Sequence, residues 1–172
     1  MTSSELLADA FTRIHGAVSA ATEDLRLEEA GFRPDPDANS IAWLVWHLTR
    51  VQDDHVAEIA GEEQEWVRGG WNTRFGTDTA VSNTGYGHTS AQVAEVRPDR
   101  IVDLAGYHDV VYRRSLEYLA GVDAEELDRI IDRSYDPPVS VGVRLVSVIS
   151  DNIQHAGQAR YVRGIVERVL PG

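Results

Sequence analysis

A chain of 172 residues with an ordinary hydrophobic fraction of 42% has material for a proper core, and its length predicts one domain over residues 1–172. The formal charge of −12 excludes a nucleic-acid surface, which needs clustered Lys and Arg. The absence of cysteine excludes disulfides, zinc–thiolate sites and a thiol nucleophile of the chain's own.

The first element is marked by Leu7, Phe11, Ile14, Val18, Ala21 and Leu25, spaced 4, 3, 4, 3, 4. That spacing predicts a helix over 4–26 with one buried stripe. Ser3 or Ser4 can cap it, and Gly31-Phe32-Arg33-Pro34-Asp35-Pro36 breaks the chain after it. His15 lies off the stripe and is expected to be solvated.

Asn39-Ser40 caps a second predicted helix over 40–60, stopped by Gly61. Its stripe runs through Ile41, Leu44 or Val45, Leu48, Val51 and Ile59, and Trp43 and Trp46 make its first two turns apolar almost all round. His47 falls toward the edge of the stripe and His55 close to its centre, so periodicity favours His55 as the inward residue. Asp53 and Asp54, two turns beyond His47, read equally well as partners behind a site's ligands or between helices, or as plain surface charge.

The connection Glu62–Arg97 is long for a compact fold. It carries Trp66, Trp71, Phe75, Tyr86 and His88 among five glycines, so it is expected to be ordered and to pack over the mouth of a site. Thr89-Ser90-Ala91-Gln92 has the capping-box pattern of a short helix. A third helix is predicted over 98–119, its stripe including His108, and a fourth over 140–168. Nothing reads strongly as sheet. Four helices of this length predict an all-α, antiparallel four-helix bundle with a long loop between the second and third helices.

The fourth helix carries the chemistry. Asp151 and His155 stand at i and i+4, one turn apart on one helical face. They can close on one divalent cation if a third ligand arrives from another helix, and His47 in Trp46-His47-Leu48 is the best candidate donor. Two imidazoles and one carboxylate, with coordination positions left open, describe a catalytic site better than a sealed structural one. The alternative is a buried, hydrogen-bonded His–Asp–His cluster that positions the helices. His55 and His108 could be satisfied core residues or could touch the site's ligands or substrate, and Arg144 and Arg160 could meet an anionic substrate or be solvated. All sixteen basic residues are Arg, which rules out a Schiff-base lysine and a P-loop.

The run Arg33-Pro34-Asp35-Pro36 to Asn39-Ser40-Ile41-Ala42-Trp43-Leu44-Val45-Trp46-His47-Leu48, followed by Asp53-Asp54-His55, resembles the DinB-like superfamily. Gly85-Tyr86-Gly87-His88-Thr89 and His155-Ala156-Gly157-Gln158 are similar to its branch of mycothiol-dependent enzymes. The resemblance implies a four-helix bundle with a divalent metal held by His47, Asp151 and His155, and it is what selects His47 over His55. Zinc is the first expectation, with nickel or iron(II) suiting the same ligands. The implied partners are a low-molecular-weight thiol such as mycothiol, used as cosubstrate for S-transfer or isomerisation, and a small electrophile. A homodimer is also compatible. Members of the mycothiol-dependent maleylpyruvate isomerase branch carry Glu at the first fourth-helix position, and Asp151 is one methylene shorter.

No apolar run approaches the roughly 20 residues that cross a bilayer, and Met1-Thr2-Ser3-Ser4-Glu5 lacks the start of a signal peptide, so a cytoplasmic protein without a membrane partner is expected. The competing reading is a non-catalytic helical bundle, metal-binding or metal-free, acting as a stress-linked interaction module. It is favoured by the lack of any obvious general acid or base.

Overall fold

The computed structural model describes residues 1–170, and four long helices dominate it. Helix α1 (Ser3–Thr22) is capped by Thr2, ahead of both expected caps. Thr2 accepts from the Glu5 N–H while Glu5 returns a bond to the Thr2 backbone, which satisfies two otherwise orphaned donors. It also ends before residue 26, because Asp24 adopts a left-handed backbone with φ of 50°. Leu25 reaches the core from that turn, which is how the apolar spacing outruns the helix. A single turn, α2 (Leu27–Ala30), follows.

Helix α3 (Ile41–Ala60) is capped by the Ser40 hydroxyl, which accepts from the Trp43 N–H, and Gly61 closes it at φ 69°. The connection then forms α4 (Glu65–Arg68), a 3-10 turn at Trp71–Thr73, and α5 (Ser90–Glu95) on the Thr89–Gln92 capping box. After α6 (Ile101–Leu119) come α7 (Ala124–Asp128) and a two-stranded antiparallel pair, β1 (Ile130–Asp132) with β2 (Val139–Ser140). No apolar alternation announces these short strands. Ser140 ends β2 and also caps α8 (Val141–Val169). No described helix is long and apolar enough to cross a membrane.

Cross-helix contacts fix the directions. Ser4 bonds to Leu119 O and Thr12 meets Tyr112, so α1 and α6 are antiparallel. His55 meets Arg144 while His47 faces Asp151, so α3 and α8 are antiparallel too. Thr49 meets His108 and Gln52 meets Ser115, so α3 and α6 run the same way, and α1 and α8 must share the opposite direction. A parallel neighbour requires the chain to travel back along the bundle, about 30 Å for a helix of twenty residues. The long connection makes that return.

The core is continuous through all four helices, and polar bonds cross it. Asn152 donates to Gln52 Oε1 at 2.8 Å, Gln52 donates to Ser115 Oγ at 2.8 Å, and Ser115 donates to Val111 O at 2.8 Å. Buried polar groups need such partners. This chain of bonds pins α8, α3 and α6 in one register, beside the residues of interest.

His108 is buried between α6 and α3 rather than near them. The Thr49 hydroxyl already donates to Val45 O at 2.7 Å, so the His108 Nδ1–H, 3.1 Å away, donates to Thr49. Burial, aided by the His15 charge, pushes the His108 imidazole down to about 3. The unfolded chain therefore takes up this proton first as acid is added. Its contribution to stability is full above about pH 6.5 and is lost progressively down to about pH 3, by up to about 1.4 kcal/mol per pH unit. His108→Asn, which keeps an amide donor for Thr49, should flatten that slope by about one proton. Urea midpoints measured from pH 7 to pH 4 check this, and an unchanged slope would refute it.

Candidate metal centre

The antiparallel crossing of α3 and α8 brings the three candidate ligands together. Each of His47, Asp151 and His155 offers one ligand atom, and these atoms lie within 4.8 Å of one another. His47 Nε2 is 3.9 Å from Asp151 Oδ2, and His155 Nε2 is 3.5 Å from Asp151 Oδ1. The two imidazole rings meet edge to face, 81° apart, with centroids at 4.7 Å. Tetrahedral coordination at roughly 2.1 Å sets donor atoms about 3.4 Å apart. The Asp151 carboxylate, at 3.5 Å from one imidazole nitrogen and 3.9 Å from the other, stands close to that spacing despite its shorter side chain.

Both imidazoles are already oriented. His47 Nδ1 donates to Thr84 O at 2.5 Å and His155 Nδ1 donates to Gln158 Oε1 at 2.9 Å. Anchoring the far nitrogen fixes the tautomer, so each Nε2 is turned toward the shared point. Burial, opposed by the Thr84 bond, holds His47 below the ordinary histidine value and keeps it neutral. Burial also pushes His155 down, but bonds to Asp151 and Gln158 outweigh it and raise the group. Asp151 follows the same pattern: burial raises it, and the hydrogen bond and charge of His155 bring it below the usual carboxylate range.

Asp151 Oδ2 is sealed from solvent and has no hydrogen-bond partner among the described residues. An orphaned anionic oxygen is costly in the metal-free state. A cation between the two Nε2 atoms would satisfy it, so the donor set fits a divalent ion. One side of the site stays open: the Asp151 side chain is 36% exposed against 6% for His47.

The lid over His47 is residues 83–88. Gly85 has φ of 89°, and a Cβ there would lie 2.8 Å from Trp46 and 3.0 Å from His47 Nδ1, so both backbone and space demand glycine. His88 clamps this segment. It accepts from Trp43 Nε1 at 3.2 Å and donates to Asn83 Oδ1 at 2.9 Å.

Arg50, which the sequence did not single out, is fully buried and ties the same segment to the bundle. It donates to Asn83 O at 3.1 Å, Val81 O at 2.6 Å, Gln64 Oε1 at 2.8 Å and Tyr107 Oη at 3.1 Å, and pairs with Asp53 at 3.4 Å. Asp53 in turn accepts from the Glu65 and Trp66 N–H groups and from Tyr107 Oη. Of the two readings of Asp53, the partner between elements is therefore the observed one.

Other expectations change. His47 is 5% exposed and His55 is half-buried, the reverse of what periodicity favoured, because the connection covers the outer face of α3 near its start. Trp66, Trp71 and Phe75 do not shape the mouth of the centre. They stack around Tyr107 at 5.5–5.9 Å and form a second apolar layer behind it, leaving Tyr86 at the mouth. Arg144 is engaged by Glu58 at 3.0 Å and by His55, while Arg160 is exposed. His15 is not simply solvated, since it stacks on Tyr112 at 4.2 Å.

Comparison with known proteins places this geometry in a family context. The DinB superfamily matches residues 10–159. The chain is similar to a solved structure, the crystal structure of a conserved protein from Enterococcus faecalis, with a TM-score of 0.87 and 29% identity over 95% of this chain and 96% of that one. No curated protein matches the chain.

Proposed function

We propose, from the premise that this chain belongs to the DinB superfamily, that His47, Asp151 and His155 hold a divalent cation and that the protein uses it to transfer or isomerise through a small thiol. The observation that carries this reading is Asp151 Oδ2, buried without a partner 3.9 Å from His47 Nε2, while His155 Nε2 lies 3.5 Å from the same carboxylate's other oxygen. When bound, the ion supplies the positive charge that keeps a coordinated thiol in its thiolate form. With no cysteine in the chain, the thiol comes from solution, and mycothiol is the proposed one. Zinc suits two imidazoles and a carboxylate, as do nickel and iron(II).

The chain's own residues set the rest. Thr84 and Gln158 hold the tautomers of the two histidines, and Asp151 offsets one charge of the ion. Val51, Val148 and Tyr86 line the open side, where a small electrophile would meet the thiolate away from bulk water.

Two measurements test this. Protein purified without a chelator or affinity-tag metal should contain about one divalent ion per chain, or take one up on dialysis. The loaded protein should then accelerate addition of mycothiol to a model electrophile. Absence of metal uptake would refute the centre. Stoichiometric metal without any thiol-dependent rate would refute the chemistry and favour the non-catalytic bundle.

A further inference from the structure

A cavity of about 370 Å³ opens beside the centre, lined by His47, Asp151, Val51, Val148, Tyr86 and His55. His55 lies two turns beyond His47 on α3, on the same open side. Its Nδ1 is 2.8 Å from Arg144 Nη1. A guanidinium can only donate, so Nδ1 is the acceptor and the proton of the neutral ring sits on Nε2. Arg144 is itself held by Glu58 at 3.0 Å. Burial, and after it the Arg144 charge, keeps the His55 ring below its ordinary value, in the neutral form this bond requires. Nε2 makes no hydrogen bond with the described residues and is not among the sealed polar atoms. It is a donor with nothing among the described residues to receive it.

The charge of the cavity narrows what it can hold. Arg144 is engaged by Glu58 and His55, so it does not offer a free cation. Asp54, also in the cavity wall, carries a carboxylate that accepts from Gln64 at 2.7 Å. A second anion beside it is disfavoured, whereas a neutral oxygen acceptor matches the donor.

We infer that the His55 Nε2–H receives a neutral carbonyl or ether oxygen of the substrate in this cavity, with Arg144 as the positioning residue that locks the ring tautomer. The inference rests on the reading of the centre given above, since it assigns the substrate side of that same site. In addition of a thiolate to an enone, the C–S bond forms and the C=C π pair shifts to leave an enolate oxygen; water then protonates the α-carbon, and the hydroxide it leaves takes up the proton that the thiol released on ionising. The His55 donor faces the oxygen on which that charge develops. Such preorganised donors are a large source of rate enhancement.

The experiment uses zinc-incubated protein carrying 15N-histidine, with 2-cyclohexen-1-one as probe in the absence of thiol. There is no cysteine for the enone to alkylate. The His55 ring should show the Nε2–H tautomer, and its Nε2 signal should shift saturably with the probe. His55→Leu should weaken probe binding about tenfold, the worth of one lost hydrogen bond. His55→Gln, whose amide can replace Nε2–H, should recover most of it. Arg144→Met should mix the tautomers and weaken binding. An Nδ1–H tautomer, no saturable shift in the wild type, or equal probe affinity in wild type and His55→Leu would each overturn the inference. Zinc content measured on the same samples separates the two readings: lack of zinc in the wild type refutes the centre, while the His55 signal still decides the donor.

Discussion

Replacing Asp151 by alanine should lower divalent-metal affinity by at least about two orders of magnitude, since even outer partners of ligands are worth about 10–100-fold. In the metal-free protein the same change should cost only the half-exposed Asp151–His155 pairing, under about 1 kcal/mol. Asp151 Oδ2 has no partner to lose, and the carboxylate is half open to solvent on its other side. Asp151→Glu should keep affinity within about tenfold, because an i,i+4 pair on α8 retains its common face. Zinc calorimetry, with thermal midpoints in EDTA, reads both quantities on the three proteins. A purely structural His–Asp–His cluster predicts a different pattern: no metal in any of them, so that lost stability, at most about 1–3 kcal/mol, is the whole effect of Asp151→Ala. Equal metal binding by wild type and Asp151→Ala would remove Asp151 from the centre.

Arg50→Met should be the most damaging single change to the fold, at about 3–5 kcal/mol. It would leave the Asp53 carboxylate buried without its cation and strip donors from Asn83 O, Val81 O and Gln64. For a domain of this size, each kcal/mol moves the midpoint by about 2–4 °C. The damage should not stay at Arg50. Residues 81–85 lose their anchor, so their amides should exchange faster, and the Thr84 carbonyl should hold His47 less firmly, weakening metal binding as well. Asp53→Asn keeps acceptor and shape while removing the charge, and should cost less. Thermal midpoints with hydrogen exchange over the connection check both variants. A loss under about 1 kcal/mol for Arg50→Met would mean that solvent or a neighbouring group satisfies those carbonyls in its absence.

Arg50 shows why part of this molecule was not legible in its sequence. An arginine on a helix flanked by Thr49 and Val51 looks like any solvated helix face. Only the connection folding back over it supplies three acceptors, on Gln64, Val81 and Asn83, from residues distant in the chain. Gln52 was opaque for the same reason, since its partners Asn152 and Ser115 arrive from facing helices. The aromatic residues of the connection announced order correctly, but their destination around Tyr107 depended on where α6 lies. His47 and His55 give the clearest case. Period along one helix ranks faces by local apolarity and cannot count a cover supplied by residues 83–88.

The sequence by itself determined the four long helices, because apolar spacing and caps such as Ser40, Gly61 and Ser140 are local properties carried by neighbouring residues. It also determined the Asp151–His155 pair, since i,i+4 spacing on one helix needs no partner to be meaningful. The tertiary structure alone decided what covers His47, that α6 runs parallel to α3, and which atoms are left without partners. Those outcomes depend on the packing of segments far apart in the chain, where desolvation and unpaired hydrogen bonds select one arrangement.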